Sequence, residues 1–283
     1  MKTDLPSRTA HFVAFGRAMA DAGISRVPDF HDPTARVFLN EKAQRSLQTT
    51  AQSYHAGKRG FRIEYARVMA DMMALRTLAI DHAVRDAIVR GARQLVILGA
   101  GYDGRAWRMK ELGGVKVFEV DHPATQGAKR AKVPELPPAI GAVSFVPTNF
   151  EKESITDVLP RAGHDRSIPT CWIWEGVVMY LTRDAMRATL ADIATLSAPR
   201  STLILNYHAE HRNVVARLMF RLIGEPMISA HSPAEMKSEL RAVGFEVRED
   251  GGMVDWNQHF ARGLANEKRG AYMRVLVADR LAR

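Results

Sequence analysis

Apolar positions keep two rhythms along the chain: helical spacing up to about residue 92, then alternation of short apolar runs with helical ones. In residues 7–22, Phe12, Val13, Phe15 and Met19 fall on one helical face, with Ser7 placed to cap the helix and Gly23 to stop it. Beyond Pro28, the residues after His31-Asp32-Pro33 predict a short helix with Val37, Phe38 and Leu39 turned inward. The polar, glycine-bearing run 48–59 reads as a mobile segment. Phe61 to Arg90 holds no proline or glycine. Its larger apolar residues, among them Tyr65, Val68, Met69, Met72, Met73, Leu78, Val84 and Ile88, predict one long helix whose methionines fill core space. Asp81 and Arg85, four apart, read as a pair on a solvated face.

From residue 94 strands are predicted at 94–98, 115–121, 142–147, 170–175 and 201–207, with helices at about 104–111, 124–132, 152–160 and 183–197. This order predicts a mostly parallel sheet with helices on both faces. His211 to Ile228 reads as a helix rich in Leu, Met and Phe, a candidate lid over 209–230. Ser232-Pro233 opens another helix running to about Val243. Strands at 244–249 and 272–281, separated by a glycine-containing loop, predict an antiparallel edge hairpin. No repeat or shift in composition marks a boundary. The chain reads as one α/β domain over 1–283, with an N-terminal helical cap over 1–92 and the core over 93–283.

Composition changes this picture little. At 46% apolar and 25% charged residues, the 283-residue chain can bury a full core. No apolar run reaches the roughly 18 residues of a membrane span, and Met1 to Pro6 lacks the apolar region of a secretory signal. The single cysteine, Cys171, cannot form an internal disulfide, and a cytoplasmic location is expected. The net charge of +9 comes from scattered residues. The densest cluster, Lys129, Arg130 and Lys132, lacks interleaved aromatics and reads as a solvated face rather than a nucleic-acid surface. Neither nucleic acid nor a membrane is an expected partner.

Residues 94–105, Gln-Leu-Val-Ile-Leu-Gly-Ala-Gly-Tyr-Asp-Gly-Arg, read as a buried strand feeding a glycine turn and a helix. Gly99, Gly101 and Gly104 satisfy G-x-G-x-x-G, which taken literally predicts a pyrophosphate-bearing dinucleotide. Asp103 argues otherwise, because a carboxylate inside the turn repels pyrophosphate and suits a cationic ligand such as S-adenosylmethionine (SAM). In an open α/β sheet the ligand sits at the carboxyl ends of the strands. Those ends carry Glu119 and Asp121, then Asn149-Phe150, then Glu175. Asp121 lies 22 residues beyond Gly99, near the spacing of a carboxylate that grips a ribose diol; Glu119 shares its face of the strand, one of the two reads as a surface charge, and Asp121 is preferred as the ligand. Asn149 and Phe150 can flank an adenine, or form a turn before a buried aromatic. Glu175 closes the apolar run Cys171 to Trp174 and calls for a cationic partner, either a ligand amino group or a structural arginine.

Together these segments resemble the leucine carboxyl methyltransferase family, in particular its bacterial branch of SAM-dependent O-methyltransferases. The resemblance rests on Arg76-Thr77 with Asp81, the run Gln94 to Arg105, Phe118-Glu-Val-Asp121 and Glu175-Gly-Val-Val-Met-Tyr-Leu181. Thr9-Ala10, Arg17-Ala18 and Asp32-Pro33 support it. It implies a class I, Rossmann-like methyltransferase fold. Arg76 would bind the methionine carboxylate with no other partner for its guanidinium, Gly99 and Gly101 would line the methionine moiety, Asp121 would hold the ribose and Glu175 the ammonium side. Asn149 departs from the aspartate usual in the family, and Gly104 from a small hydroxyl residue, so that Gly104 looks coincidental.

Methyl transfer from a sulfonium needs alignment and exclusion of water. A carboxylate acceptor needs no general base at neutral pH, whereas a phenol benefits from one. A small anionic or phenolic acceptor is expected, positioned by Tyr180, Tyr207, His208 and Arg17, with Met219, Phe220 and Met227 forming an apolar wall. His208 and His211 lack a third ligand, so no metal is expected. The alternatives are an NAD(P)-dependent oxidoreductase and a non-catalytic SAM-binding protein.

Overall fold

Six strands run in one direction and the seventh runs against them in the computed structural model, which describes residues 6–150, 152–209, 227–265 and 270–282. The elements are α1 (Arg8–Asp21), α2 (Glu41–His55), α3 (Phe61–Val89), β1 (Gln94–Leu98), α4 (Arg105–Arg108), β2 (Lys116–Asp121), α5 (Pro123–Lys132) and β3 (Ala142–Pro147). They continue with α6 (Ile155–Arg161), β4 (Thr170–Trp174), α7 (Arg183–Thr195), β5 (Thr202–His208), α8 (Pro233–Ala242), β6 (Phe245–Gly252), α9 (Met253–Ala261) and β7 (Met273–Arg280). The strand order is β3-β2-β1-β4-β5-β7-β6, with β1 to β5 mutually parallel and β7 antiparallel to both its neighbours. Strand order therefore reverses between β1 and β4, which opens the ligand crevice above their carboxyl ends.

The period of two along each strand sends alternate side chains to opposite faces. Leu95, Ile97, Cys171, Ile173 and Ile204 join the core beneath α1, α3 and α9, while Val96, Leu98, Trp172, Trp174, Leu203 and Leu205 join the core beneath α6, α7 and α8. Glu119, Asp121, Glu175, Asn206 and His208 share the parity of the first set and so lie on the α3 face.

Several expectations are corrected. Residues 33–39 form turns rather than a helix, although Phe38 and Leu39 are buried as expected. The polar run that read as mobile lies largely within α2, capped by Asn40 and burying Leu47 alone. The loop expected between the last two strands contains α9, and β7 is an interior strand with β6 outside it. The candidate lid, with Met219, Phe220 and His211, falls mostly outside the described residues. Its last part, Ile228 and Ser229, donates backbone N–H groups to the Met179 carbonyl at 2.7 and 3.1 Å.

Candidate active site

The glycine turn is built as the sequence requires. Gly99 and Gly101 have φ of +68° and +51°, and a Cβ on Gly99 would lie 2.5 Å from Val177 Cγ2, in the loop beyond β4. Both strands bordering the reversal are thus locked together at their tips. At the tip of β2, Asp121 accepts the Gly101 N–H at 2.5 Å and the His122 N–H at 2.6 Å. Burial nevertheless leaves its carboxyl above the ordinary aspartate value, against the pull of those two donors. Gly104 is no coincidence. A Cβ there would stand 1.8 Å from Thr34 Oγ1, so this position must be glycine for the 32–39 turns to pack on the sheet. The dinucleotide pattern thus owes its third glycine to packing.

Behind the turn runs a chain of alternating charges. Arg17 pairs with Asp32 (3.1 Å), Asp32 with Arg108 (3.6 Å), Arg108 with Asp81 (2.6 Å) and Asp81 with Arg105 (2.7 Å). Arg105 then reaches Asp103 and Glu175 (3.0 Å), and Glu175 pairs through its other oxygen with Arg76 (2.8 Å). Beside this chain Lys129 meets Glu119 at 2.6 Å and donates to the Asp103 carbonyl at 2.5 Å.

Four expectations change here. Asp81 is buried rather than solvated, and Arg85 pairs instead with Glu111. Glu119 and Lys129 are buried rather than surface charges. Asp103 does not present a free carboxylate to a ligand, because it accepts both the backbone N–H and the guanidinium of Arg105. The Arg76 guanidinium is satisfied in part by Glu175, although its buried Nε has no hydrogen-bond partner.

Burial opposes ionisation of these carboxylates, and their cations decide the outcome. Asp81 is pushed up by burial but held down to about 2 by Arg108 and Arg105. Glu175 and Asp103 likewise lie below the ordinary range, through Arg76 and Arg105 in one case and Arg105 and Lys129 in the other. Glu119 is the exception, since burial raises it to about 7 despite Lys129.

The N-terminal helix crosses the strand ends. Ser7 N–H donates to Thr125 Oγ1 (3.1 Å) on α5, the Thr9 hydroxyl meets that of Tyr180 (3.4 Å) beyond β4, and Ala10 lies against Gly101. Tyr180 is therefore at the crevice. Arg17 is not placed to reach an acceptor, because its guanidinium is buried against Asp32 and the Tyr102 carbonyl (2.5 Å). Tyr207 points to the opposite face of the sheet, where its hydroxyl donates to Asp250 (2.8 Å) and accepts from Arg274 (3.1 Å). His208 is on the crevice face, its ring 4.7 Å from that of Tyr272 and its Nδ1 3.2 Å from Met227 Sδ. Asn149 donates its N–H to Glu153 (3.0 Å), and Phe150 is 48% exposed at the rim, so it is not the buried aromatic of the structural alternative. Sequence reasoning missed Arg105, Arg108 and Asn206, whose Oδ1 holds the Gly176 N–H at 3.2 Å. Arg105 closes the turn motif and Arg108 follows it, but apart from Asp103 nothing local reveals their partners.

Several features of the crevice fit SAM. Arg76 and Glu175 offer one positive and one negative group side by side, the complement of an amino-acid zwitterion. Asp121 offers carboxylate oxygens at the β2 tip, and a Cβ on Gly176 would meet open space. Such an arrangement on this sheet defines a class I SAM-dependent methyltransferase. The chain belongs to the leucine carboxyl methyltransferase family, whose model matches residues 10–194. It is 33% identical over 218 residues to a "putative S-adenosyl-L-methionine-dependent methyltransferase" of Mycobacterium marinum, covering 74% of this chain and 68% of the relative. A similarly named protein of Frankia alni is 34% identical over 212 residues, at 74% and 70% coverage. One from Streptomyces coelicolor is 37% identical over 150 residues, and the match spans only about half of each chain, 53% and 52%. Among solved structures, the "putative methyltransferase" of Thermobifida fusca superposes with a TM-score of 0.57 at 15% identity, covering 94% of both chains. Magnesium protoporphyrin IX methyltransferase of Synechocystis, solved with S-adenosylhomocysteine, gives 0.51 at 18% identity over 87% and 97%. At these identities the structures support the fold alone. SAM is the cofactor, and the dinucleotide reading is set aside.

Proposed function

We propose that the protein transfers the methyl group of SAM to an oxygen, foremost a carboxylate, of a small-molecule acceptor. The cofactor supplies an electrophilic methyl carbon on a sulfonium. Arg76 binds the methionine carboxylate and Glu175 the ammonium, while Gly99 and Gly101 allow close approach of the backbone. Asp121 accepts from the ribose, and Asn149 and Phe150 flank the adenine. Asp103 acts through Arg105 rather than on the ligand. Tyr180 and His208 border the acceptor side, and α1 excludes water from above.

The observation that carries the carboxylate reading is the match to the leucine carboxyl methyltransferase family, taken together with the ionised state of a carboxylate acceptor. Burial raises the Tyr272 hydroxyl above its ordinary value, against the pull of Arg76. An acceptor that arrives ionised needs no base. The family's description, leucine carboxyl methyltransferase, supports the same chemistry.

The cofactor half is checked by calorimetry with SAM and NAD: SAM binds, NAD does not, and the reverse result would overturn it. Glu175→Gln is expected to weaken SAM binding by about tenfold or more, the worth of a charge-assisted hydrogen bond. For the acceptor, label transfer from SAM to aromatic and polyketide-like acids is compared with transfer to the corresponding phenols. Preference for phenols would overturn the carboxylate assignment.

A further inference from the structure

We infer that Arg105 is the positioning residue of the cofactor site, fixing Glu175 for the ammonium of SAM by bridging Asp81 on α3, Asp103 in the glycine turn and Glu175 beyond β4. The inference rests on the assignment of Glu175 made above. Arg105 is 1% exposed, and its Nε meets Asp81 at 2.7 Å while Nη1 meets Glu175 Oε2 at 3.0 Å and Asp103. Its backbone N–H also donates to Asp103 Oδ1 at 2.8 Å, so the guanidinium leaves the main chain already anchored. Asp81 is in turn clamped by Arg108 at 2.6 and 3.0 Å. The planar fork of arginine can serve carboxylates on three elements at once, which a single ammonium cannot. One oxygen of Glu175 is thereby tied inward to Arg105, and the other is left with Arg76 at the crevice.

The charges facing Glu175 come from every element around it: Arg76 on α3, Arg105 on α4, Asp103 in the turn and Arg17 on α1. Burial and Asp103 favour its neutral form, and the guanidinium groups favour the carboxylate. Without Arg105 that balance moves toward protonation, which removes the charge that meets an ammonium.

The test is calorimetric SAM affinity from pH 4.5 to 7, below the range where an amino group of the cofactor titrates, with folding followed by circular dichroism. In Arg105→Gln, affinity at pH 7 is expected to fall about tenfold, and its decline on acidification to begin about one pH unit higher than in the wild type. Arg105→Lys should restore the pH dependence but not the full affinity, because the charge returns without the fork. Asp121 is present in each variant, so its titration does not alter the comparison. If Arg105→Gln does not fold, Asp81→Asn withdraws the anchor on α3 without touching Glu175, and is expected to weaken SAM binding severalfold with an unchanged spectrum. Wild-type affinity in these folded variants, or a uniform loss with no change in pH dependence, would overturn the inference. Wild-type affinity in Glu175→Gln would instead remove the assignment on which it rests.

Discussion

Gly104 is held so tightly against Thr34 that no side chain can stand there without moving the loop. Overpacking of this kind typically costs about 1–3 kcal/mol. Gly104→Ala should therefore lower the melting temperature, and adding Thr34→Ala should recover part of the loss, since Thr34 Cβ remains 2.8 Å from the new Cβ. Asp81 makes a second prediction. Its folded value of about 2 lies below the ordinary 3.8, so its contribution is fully present above about pH 4 and is lost as pH falls toward 2. That contribution is on the order of 2 kcal/mol, and urea titrations at pH 4 and pH 2 should show Asp81→Asn losing most of the difference. Glu119 has the opposite sign. Raised to about 7, it binds a proton in the folded state that the unfolded chain releases near 4.5, so its contribution declines as pH rises through that interval. Glu119→Gln should flatten the decline. Asp121 and Glu175 were legible as candidates because each ends a legible strand. Arg105 was not, because two of the three carboxylates it bridges lie 24 and 70 residues away in the chain.

At the scale of elements, legibility followed the strength of the apolar pattern. The long helix α3 and strands β1, β2, β4 and β5 are rich in buried side chains and keep their periods. The helix α2 buries only Leu47, too little apolar periodicity to distinguish it from a polar loop. It begins at Asn40, whose side chain accepts the Ala43 N–H at 2.9 Å. Asn40→Ala should cost about 1 kcal/mol, read as lower stability in urea. Helix α9 was hidden behind Gly251 and Gly252, which read as a loop but end β6 and cap the helix, the Gly252 N–H donating to Asp255 at 2.8 Å. Neither miss touches the crevice, which is assembled from strand tips and α3. The acceptor side was less legible for a related reason. Tyr207 and His208 are adjacent in sequence, and strand parity sends them to opposite faces.

Across the whole molecule, the surplus of positive charge lies outside the site. Arg17, Arg76, Arg105, Arg108 and Lys129 are matched within the buried cluster by Asp32, Asp81, Asp103, Glu119 and Glu175. Fold class and cofactor were legible because a few short motifs in a fixed order define them, whereas strand order beyond β5 leaves no local trace. That order has a consequence for biogenesis. Strand β7 supplies the partner of β5 from Thr202 to His208 and also the partner of β6. A nascent chain ending at residue 265 holds β5 and β6 without the strand that joins them, and so leaves the edge of each that faces β7 unpaired. Synthesis thus delivers the joining strand after both strands it must join. Chains that stop before residue 273 are expected to aggregate rather than to act as shortened enzymes.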